Sequence, residues 1–272
     1  MRLFARAALG ALAFVGVCAA AASAGANPRA LPFTYPYETL AKGDFELEQF
    51  ADLTPSVALS TSTGKPANLG LFLFTTEFEY GLTDRLELGL YFQLAPSAGD
   101  GFASAGALGN TAIKQRLRYR IGREGELPID MSVYGELAES DREIEIEAKL
   151  NLQKRFGGLR IMSNLWAEYE LYFDGKREWV LNPTLGATYQ LMPELHIGAE
   201  SWVRAEFPEG LTGTRPYGLG PHAYVGPTVM ANFGKLWFSL GTYFRVSDVE
   251  RPVEVGDVFG RVWVRAVTGV EM

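Results

Sequence analysis

Long stretches in which apolar and polar residues alternate one by one constrain this sequence more than any other feature. From Glu143 to Gln153, every odd position carries a charged or amide side chain, and every even position carries Ile, Ala or Leu. Successive side chains of a β-strand point to opposite faces, so this order gives one apolar face and one polar face. In a helix the same residues would mix around the surface. The pattern therefore predicts β-strands that separate an apolar environment from a polar one.

About twelve segments of the chain share this alternation. They lie near residues 44–53, 70–80, 86–95, 111–121, 128–139, 142–156, 159–173, 178–190, 195–207, 222–232, 236–247 and 259–269. Short turns such as Gly157–Gly158 alternate along the chain with generally longer links near 54–69, 96–110, 208–221 and 248–258. Short turns at one end and long loops at the other are typical of membrane-spanning barrels. We therefore predict an all-β fold, a single antiparallel transmembrane β-barrel of about 12 strands.

A soluble sandwich or lipocalin is the alternative for alternating strands, since it would bury the apolar face. The predicted strands are long enough for a tilted membrane span of about nine to eleven residues. Their apolar faces also end in aromatic residues, which form girdles at the lipid–water interfaces of membrane barrels. These residues are Tyr80, Phe92, Tyr119, Phe173, Tyr189, Phe207, Phe233 and Phe244. Both features favour a barrel in lipid.

The first residues predict export. Arg2 and Arg6 precede an uncharged run over residues 7–22, and small residues follow, as in a secretory signal peptide. A transmembrane anchor is the alternative. We expect residues 1–24 to be the signal peptide, with cleavage after Ala24 or Ala26, residues 25–43 to be a Pro-containing periplasmic leader, and residues 44–272 to form the barrel. The leader either enters the periplasmic mouth of the barrel or hangs as a loose tail.

The polar faces predict the lining of a lumen. Lys114, Arg116, Arg118 and Arg120 form a basic ladder, and rows of charge set selectivity in channels. The other charged residues predicted to line the lumen are Asp130, Glu136, Glu143, Glu145, Glu147, Glu168, Glu170, Glu200 and Arg204. The aromatic residues predicted to narrow it are Tyr134, Trp166, Trp202, Trp237 and Trp263. The alternative is that opposite charges neutralise one another and simply fill the lumen.

The two ends of the predicted barrel suggest how it closes. Arg261 and Arg265 lie on the polar face of the last segment, and Glu46 and Glu48 lie on the polar face of the first. If the two segments pair, we expect positive charge to meet negative charge inside the barrel. Coincidence is the alternative.

Two phrases near the start of the barrel resemble a known group of proteins. Residues 80–89, YGLTDRLELG, and residues 37–49, YETLAKGDFELEQ, are similar to poorly characterised proteobacterial outer-membrane barrels, among them the group labelled phenol meta-pathway transporters. The resemblance covers the leader and the first hairpin, and the rest of the chain only by pattern. It implies an outer-membrane location and solute passage, and it supplies no catalytic residues.

An enzyme is the rival class, because some outer-membrane barrels hydrolyse lipid or peptide. Such chemistry needs a histidine beside a nucleophile or an activated water. His196 follows a short turn and His222 follows a long link, so we expect them at opposite rims. The one cysteine, Cys18, leaves with the signal peptide. We therefore predict no catalytic residues, no metal site and no cofactor.

Passive passage of a small solute through a narrow channel is the leading hypothesis for function. A closed barrel with a structural or surface-binding role is the alternative, and a lipid-acting enzyme at the rim is a weaker one. The expected partners are outer-membrane lipid, an unidentified solute and the barrel-assembly machinery. The formal net charge of −7 disfavours nucleic acid. The expected location is the Gram-negative outer membrane.

Overall fold

The alternating segments form strands that pair edge to edge. A computed structural model describes residues 28–54, 57–59, 66–68, 71–94, 112–208, 221–247 and 259–272. The strands in this part of the chain are β1 (Phe45–Thr54), β2 (Val57–Leu59), β3 (Pro66–Asn68), β4 (Leu71–Thr83), β5 (Leu86–Leu94), β6 (Ala112–Ile121), β7 (Asp130–Ser140), β8 (Glu143–Phe156), β9 (Leu159–Tyr172), β10 (Arg177–Leu181), β11 (Thr184–Met192), β12 (Leu195–Phe207), β13 (His222–Phe233), β14 (Leu236–Arg245) and β15 (Val262–Glu271). Among the described residues, no helix has the length and hydropathy to cross a membrane.

All strands except β2 and β3 belong to one antiparallel sheet. β1 pairs with β15, and β12 pairs with β13, so the sheet closes on itself. β10 and β11 share one position, because both pair with β9 on one side and with β12 on the other. The result is a closed antiparallel barrel of 12 strand positions, which confirms the predicted fold class.

The strand predicted near 178–190 is interrupted. Pro183 has no N–H to donate, so a regular ladder cannot run through it. The chain instead breaks at residues 182–183, where the Asn182 N–H donates to the Trp166 carbonyl at 2.9 Å. The Pro183 carbonyl accepts from the Val203 N–H at 3.1 Å. The link predicted over 54–69 also contains strands, the short β2–β3 hairpin.

The two ends of the barrel differ. At one end, called the turn end here, residues 84–85, 122–129, 157–158, 193–194 and 234–235 connect the strands. Gly157 and Gly234 adopt φ values of 60° and 80° there, which tight hairpin turns require and glycine adopts without strain. The opposite end, called the loop end, carries the links over 95–111, 208–221 and 246–261, which lie largely outside the described residues.

The outer face of the barrel is apolar and the inner face is polar. Large apolar side chains such as Leu165 and Ile146 are about half exposed on the outside. The predicted girdle residues follow the same rule, with Tyr80, Tyr189 and Phe233 all exposed. The buried interior holds mainly Glu, Arg, Asn, Thr and aromatic side chains. This inversion is expected of a barrel whose outer surface meets lipid.

Candidate functional site

Residues 28–43 form a plug segment that is neither helix nor strand; residues 28–40 lie inside the barrel, and residues 41–43 are exposed at its turn end. Leu31 and Phe33 are buried within the lumen. At the turn end, the Gly43 N–H donates to the Gly81 carbonyl at 2.8 Å. The plug segment therefore enters the lumen from the turn end and does not hang as a tail.

Side chains of the barrel wall satisfy the backbone of the plug segment. The Glu200 carboxylate accepts from the Phe33 N–H at 3.1 Å and from the Thr34 N–H. The Asn164 amide accepts from the Tyr35 N–H at 2.7 Å and donates to the Tyr35 carbonyl at 3.0 Å. Buried backbone groups outside a ladder need such partners. These polar wall residues thus position the plug segment.

From Gly43 back to Phe33 the plug segment runs from the turn end towards the loop end, and then it reverses direction. Phe33 stacks on Trp202, in the loop-end half of β12, with ring centroids 4.6 Å apart. Leu31, only two residues away, packs with Met162 and Met230, which lie closer to the turn end. The segment therefore has its apex near Phe33, and its N-terminal part runs back towards the turn end.

Arg29 anchors the N-terminal part of the plug segment. Its guanidinium lies 2.9 Å from Glu48, 2.9 Å from Glu77 and 3.2 Å from Glu79, all measured from Nη2 to a carboxylate oxygen. All four side chains are almost fully buried. The guanidinium also lies over the Tyr35 ring, 3.8 Å from its centroid. One plug residue is thus held by carboxylates of two neighbouring strands, β1 and β4.

Arg116 and Arg118, two members of the predicted basic ladder, belong to the same buried network. Arg116 contacts Glu77 at 2.6 Å and Glu87 at 2.6 Å, and it also pairs with Glu79. Arg118 contacts Glu87 at 2.6 Å. These two arginines hold strands β4, β5 and β6 together inside the barrel. They are not an open row facing a pore.

The other two members of the ladder lie at its ends. Lys114 lies 3.0 Å from Glu136 and 3.4 Å from Glu145. Arg120, at the turn end, donates to the Asp84 carbonyl at 2.6 Å. All four ladder residues lie on the inner face of β6. Among the described residues, nearby carboxylates neutralise Lys114, Arg116 and Arg118, which favours the alternative that opposite charges fill the lumen.

The predicted acidic residues also point inward. Arg204 gathers three carboxylates, with Glu168 at 3.0 Å, Glu170 at 2.8 Å and Glu206 at 2.9 Å. The Asn182 amide, at the break between β10 and β11, also donates to Glu168. The interruption of that strand thus helps to fix this cluster.

Three further residues of the predicted acidic lining lie at different positions between the turn end and the loop end. Asp130 is at the turn end and accepts from the Gly125 N–H at 2.7 Å. Glu147 lies 2.5 Å from the Lys149 ammonium in mid-barrel. Glu143 is at the loop end, where it lines the cavity described below. The alternation therefore places these side chains on the correct face without telling which of them meet.

The aromatic residues predicted to narrow the lumen lie in its interior, among the charged networks. The Tyr134 hydroxyl donates to Glu136, and Trp166 lies under the Lys149 ammonium, 3.6 Å from its ring centroid. Trp202 joins Phe33, Tyr224, Tyr243 and Trp263 in one buried cluster. Trp237 is buried against Phe50 and Val267, and its indole N–H donates to Glu46. Aromatic side chains thus fill space between the charged networks.

A cavity of about 400 Å³ lies at the loop end, and we call it the loop-end cavity. Its polar lining includes Lys114, Glu143, Glu145 and Arg204, and Phe33 of the plug segment contributes to it. The cavity is within the size range of small-molecule sites. It lies on the loop-end side of the plug segment.

The predicted closure of the barrel is confirmed, and positive charge on the last strand meets negative charge on the first, but the acidic partner is Asp52 instead of Glu46 or Glu48. β1 pairs with β15, and Arg265 binds Asp52, with Nε to Oδ1 at 2.7 Å and Nη2 to Oδ2 at 2.9 Å. The register places Glu46 opposite Glu271 and leaves Glu48 to Arg29 of the plug segment. Register depends on how far the strands are sheared, which alternation alone does not specify.

Sequence reasoning missed the carboxylates that β4 and β5 contribute to the buried network. Glu77 and Glu79 alternate with Phe78 and Tyr80, so the period-two rule was sufficient to find them. Arg29 gave no such signal, because the plug segment has no periodicity.

The two histidines do not form a site. His196 pairs in register with Met230 and His222 with Arg204, eight residues further along β12, roughly 26 Å away at strand spacing. His222 stacks on Phe259 with ring centroids 4.3 Å apart. The distance rules out one catalytic centre that uses both.

Three trios of carboxylates in the described residues offer oxygen atoms within 4.8 Å of one another. They are Glu46, Glu48 and Glu79; Glu136, Glu145 and Glu147; and Glu145, Glu168 and Glu170. Oxygen ligands of this kind suit hard cations such as Ca²⁺. Arg29, Lys114 and Arg204 already supply positive charge to these trios.

Comparison with known proteins shows the fold alone. No family model and no curated protein matches the chain. Among solved structures, an outer-membrane channel from Pseudomonas putida F1 has a TM-score of 0.60 at 14% identity, over 87% of this chain and 98% of that one. The NanC porin has a TM-score of 0.53 at 8% identity, over 83% of this chain and 100% of that one. The chain therefore has the architecture of outer-membrane channel and porin β-barrels.

Proposed function

We propose that this protein is an outer-membrane channel that gives passive passage to a small solute, and that the plug segment is its gate. The plug segment carries this proposal. It fills the lumen, yet side-chain hydrogen bonds and ion pairs hold it instead of a strand ladder. Such contacts can be broken without opening the barrel. A solute would enter the loop-end cavity and pass when the plug segment moves aside.

The envelope location belongs to the same proposal. The exposed apolar outer face is suited to lipid, and the first residues have the pattern of an export signal. Outer-membrane lipid and the barrel-assembly machinery are the proposed partners. The resemblance of residues 37–49 and 80–89 to the phenol meta-pathway group makes an aromatic solute one candidate.

A closed barrel with a structural role is the second candidate. It is favoured by the same filling of the lumen, with Arg29, Arg116 and Arg118 all buried in ion pairs. The two functions differ in whether the plug segment moves. An enzyme at the rim has less support, since His222 stacks on an aromatic ring.

A reversible lock on the plug segment tests the channel. The hydroxyl oxygens of Thr34 and Thr184 lie 2.9 Å apart, so cysteines at these positions are close enough to form a disulfide. In Thr34→Cys/Thr184→Cys, oxidation should abolish conductance in planar bilayers and solute flux in liposomes, and reduction should restore both. The single variant Thr34→Cys should show the same conductance and solute flux with and without the oxidant.

The outcomes separate the candidates. Absence of conductance and flux in the wild type and in the reduced variant would refute the channel and leave the closed barrel. Equal flux in the oxidised and reduced forms would show that solute passes without movement of the plug segment, and the gate would be refuted.

A further inference from the structure

The loop-end cavity carries more negative than positive charge in its surroundings. Among the described residues, eight carboxylates face this part of the lumen: Glu136, Glu143, Glu145, Glu147, Glu168, Glu170, Glu178 and Glu206. Six cations face them: Lys114, Arg142, Lys149, Arg204, Arg245 and Arg261. Arg265 also lines the cavity, but Asp52 binds it in a bidentate pair. The excess is therefore carboxylate.

Two of the cations that line the cavity, Lys114 and Arg204, are already engaged. Arg204 contacts three carboxylates within 3.0 Å, and Lys114 lies between Glu136 and Glu145. An incoming anion would have to displace these pairs. An incoming cation would meet the surplus carboxylates without breaking any. A cleft with one prevailing sign of charge and low-dielectric walls concentrates ions of the opposite sign.

Aromatic rings form the larger part of the apolar lining: Phe33, Trp166, Trp202, Phe259 and Trp263. The barrel already holds its own cations on such rings. The Lys149 ammonium lies 3.6 Å from the Trp166 centroid, and the Arg265 guanidinium lies 3.7 Å from the Phe33 centroid. Desolvated contacts of this kind stabilise organic cations.

Within the described part of the chain, a buried hydrogen-bond donor in the lining, the indole N–H of Trp202, has no partner, and neither has the indole N–H of Trp166. Trp202 is only 5% exposed, and its indole N–H finds no acceptor among the described residues. Buried polar groups are normally satisfied. An oxygen atom on a bound solute would provide the missing acceptor.

From the charge surplus, the rings and this donor, we propose that the loop-end cavity binds a small organic cation that also carries an oxygen acceptor, an amino alcohol by chemical class. As the identity of a transported solute this rests on the proposed channel. As a binding site it does not, so the two can fail separately. Inorganic anions and carboxylic acids are excluded by the same field.

Binding is tested on the full mature barrel in detergent at low ionic strength, by titration calorimetry with choline, phenol and gluconate as probes. Choline should bind, and gluconate should not. Glu143→Gln removes one cavity carboxylate and should weaken choline binding on the order of tenfold, as expected for loss of one nearby unit charge at an intermediate effective dielectric constant. Glu124→Gln, at the exposed turn end, should leave the affinity unchanged.

The result that overturns the proposal is phenol or gluconate binding at least as tightly as choline, or choline binding that Glu143→Gln does not weaken. Flux measurements complete the separation. Choline binding without any flux would refute the channel and keep the site. Flux of other solutes without choline binding would refute the site and keep the channel.

Discussion

Replacing Arg29 should release the plug segment. The guanidinium is buried and lies within 3.2 Å of Glu48, Glu77 and Glu79. Arg29→Met keeps most of the side-chain bulk and removes the charge. Removing one partner of a buried ion pair costs about 3–5 kcal/mol, because the other charges stay buried without compensation.

This loss should reduce the free energy of docking of the plug segment and leave the folding free energy of the barrel unchanged. The strands keep their hydrogen-bond ladders, whereas the plug segment loses its strongest contact. At about 1.4 kcal/mol per factor of ten, the population with the plug segment undocked should rise by roughly two to three and a half orders of magnitude.

Thiol labelling measures that population. Leu31 is 0% exposed in the docked plug segment, so Leu31→Cys reacts with a maleimide only when the segment undocks. Labelling of Leu31→Cys should therefore be faster in the Arg29→Met background by the same factor, up to the rate of an exposed Asp174→Cys reference. Arg29→Lys keeps the charge but lacks the planar fork, so it should give an intermediate rate.

Two results would refute this reasoning. Equal labelling rates in the two backgrounds would mean that Arg29 does not hold the plug segment. Loss of the heat-dependent gel shift of the folded barrel in Arg29→Met would mean that the ion pairs support the barrel itself.

Three further changes test other contacts. In Gly269→Ala the new Cβ would lie 2.2 Å from the Trp237 ring, so the barrel should lose about 1–3 kcal/mol in denaturant titrations, whereas Gly135→Ala meets nothing within 4 Å and should be neutral. Leu165→Arg places a charge in the middle of the outer face and should cost about 2–4 kcal/mol of folding free energy in bilayers, against about 0–1 for Phe156→Arg at a strand end. Glu200→Gln weakens the charge-assisted hydrogen bonds to the plug segment and should raise the rate of Leu31→Cys labelling by about tenfold or more. An unchanged labelling rate would mean that Glu200 does not hold the plug segment in place.

Alternation was sufficient to predict the barrel because it is a local property. A period of two assigns each side chain to a face wherever the strand ends. Lys114, Arg116 and Glu147 could therefore be placed in the lumen without knowing any pairing. The break at Pro183 was also visible in principle, because proline cannot donate to a ladder.

The plug segment could not be predicted in the same way. Residues 28–43 have neither a period of two nor a helical period, and their conformation depends on wall residues that are far away in sequence. Arg29 meets Glu77 and Glu79 across about fifty positions of the chain. Which charges meet also depends on register, and Arg265 binds Asp52 instead of Glu46 or Glu48 for that reason.

The plug segment and the loop-end cavity are connected by charge. An eight-stranded barrel can be filled by the side chains of its own strands. A barrel of 12 strand positions is wider, and here the plug segment fills the remaining volume. It also supplies Arg29, one of three guanidinium groups that face the buried carboxylates of β1, β4 and β5. When the plug segment leaves, Glu48, Glu77 and Glu79 lose that charge, and the turn-end half becomes more acidic. An open path would then carry an excess of carboxylates, so Arg29→Met, in which the plug segment is undocked more often, should prefer cations over anions in reversal-potential measurements. A preference for anions would contradict this origin of selectivity.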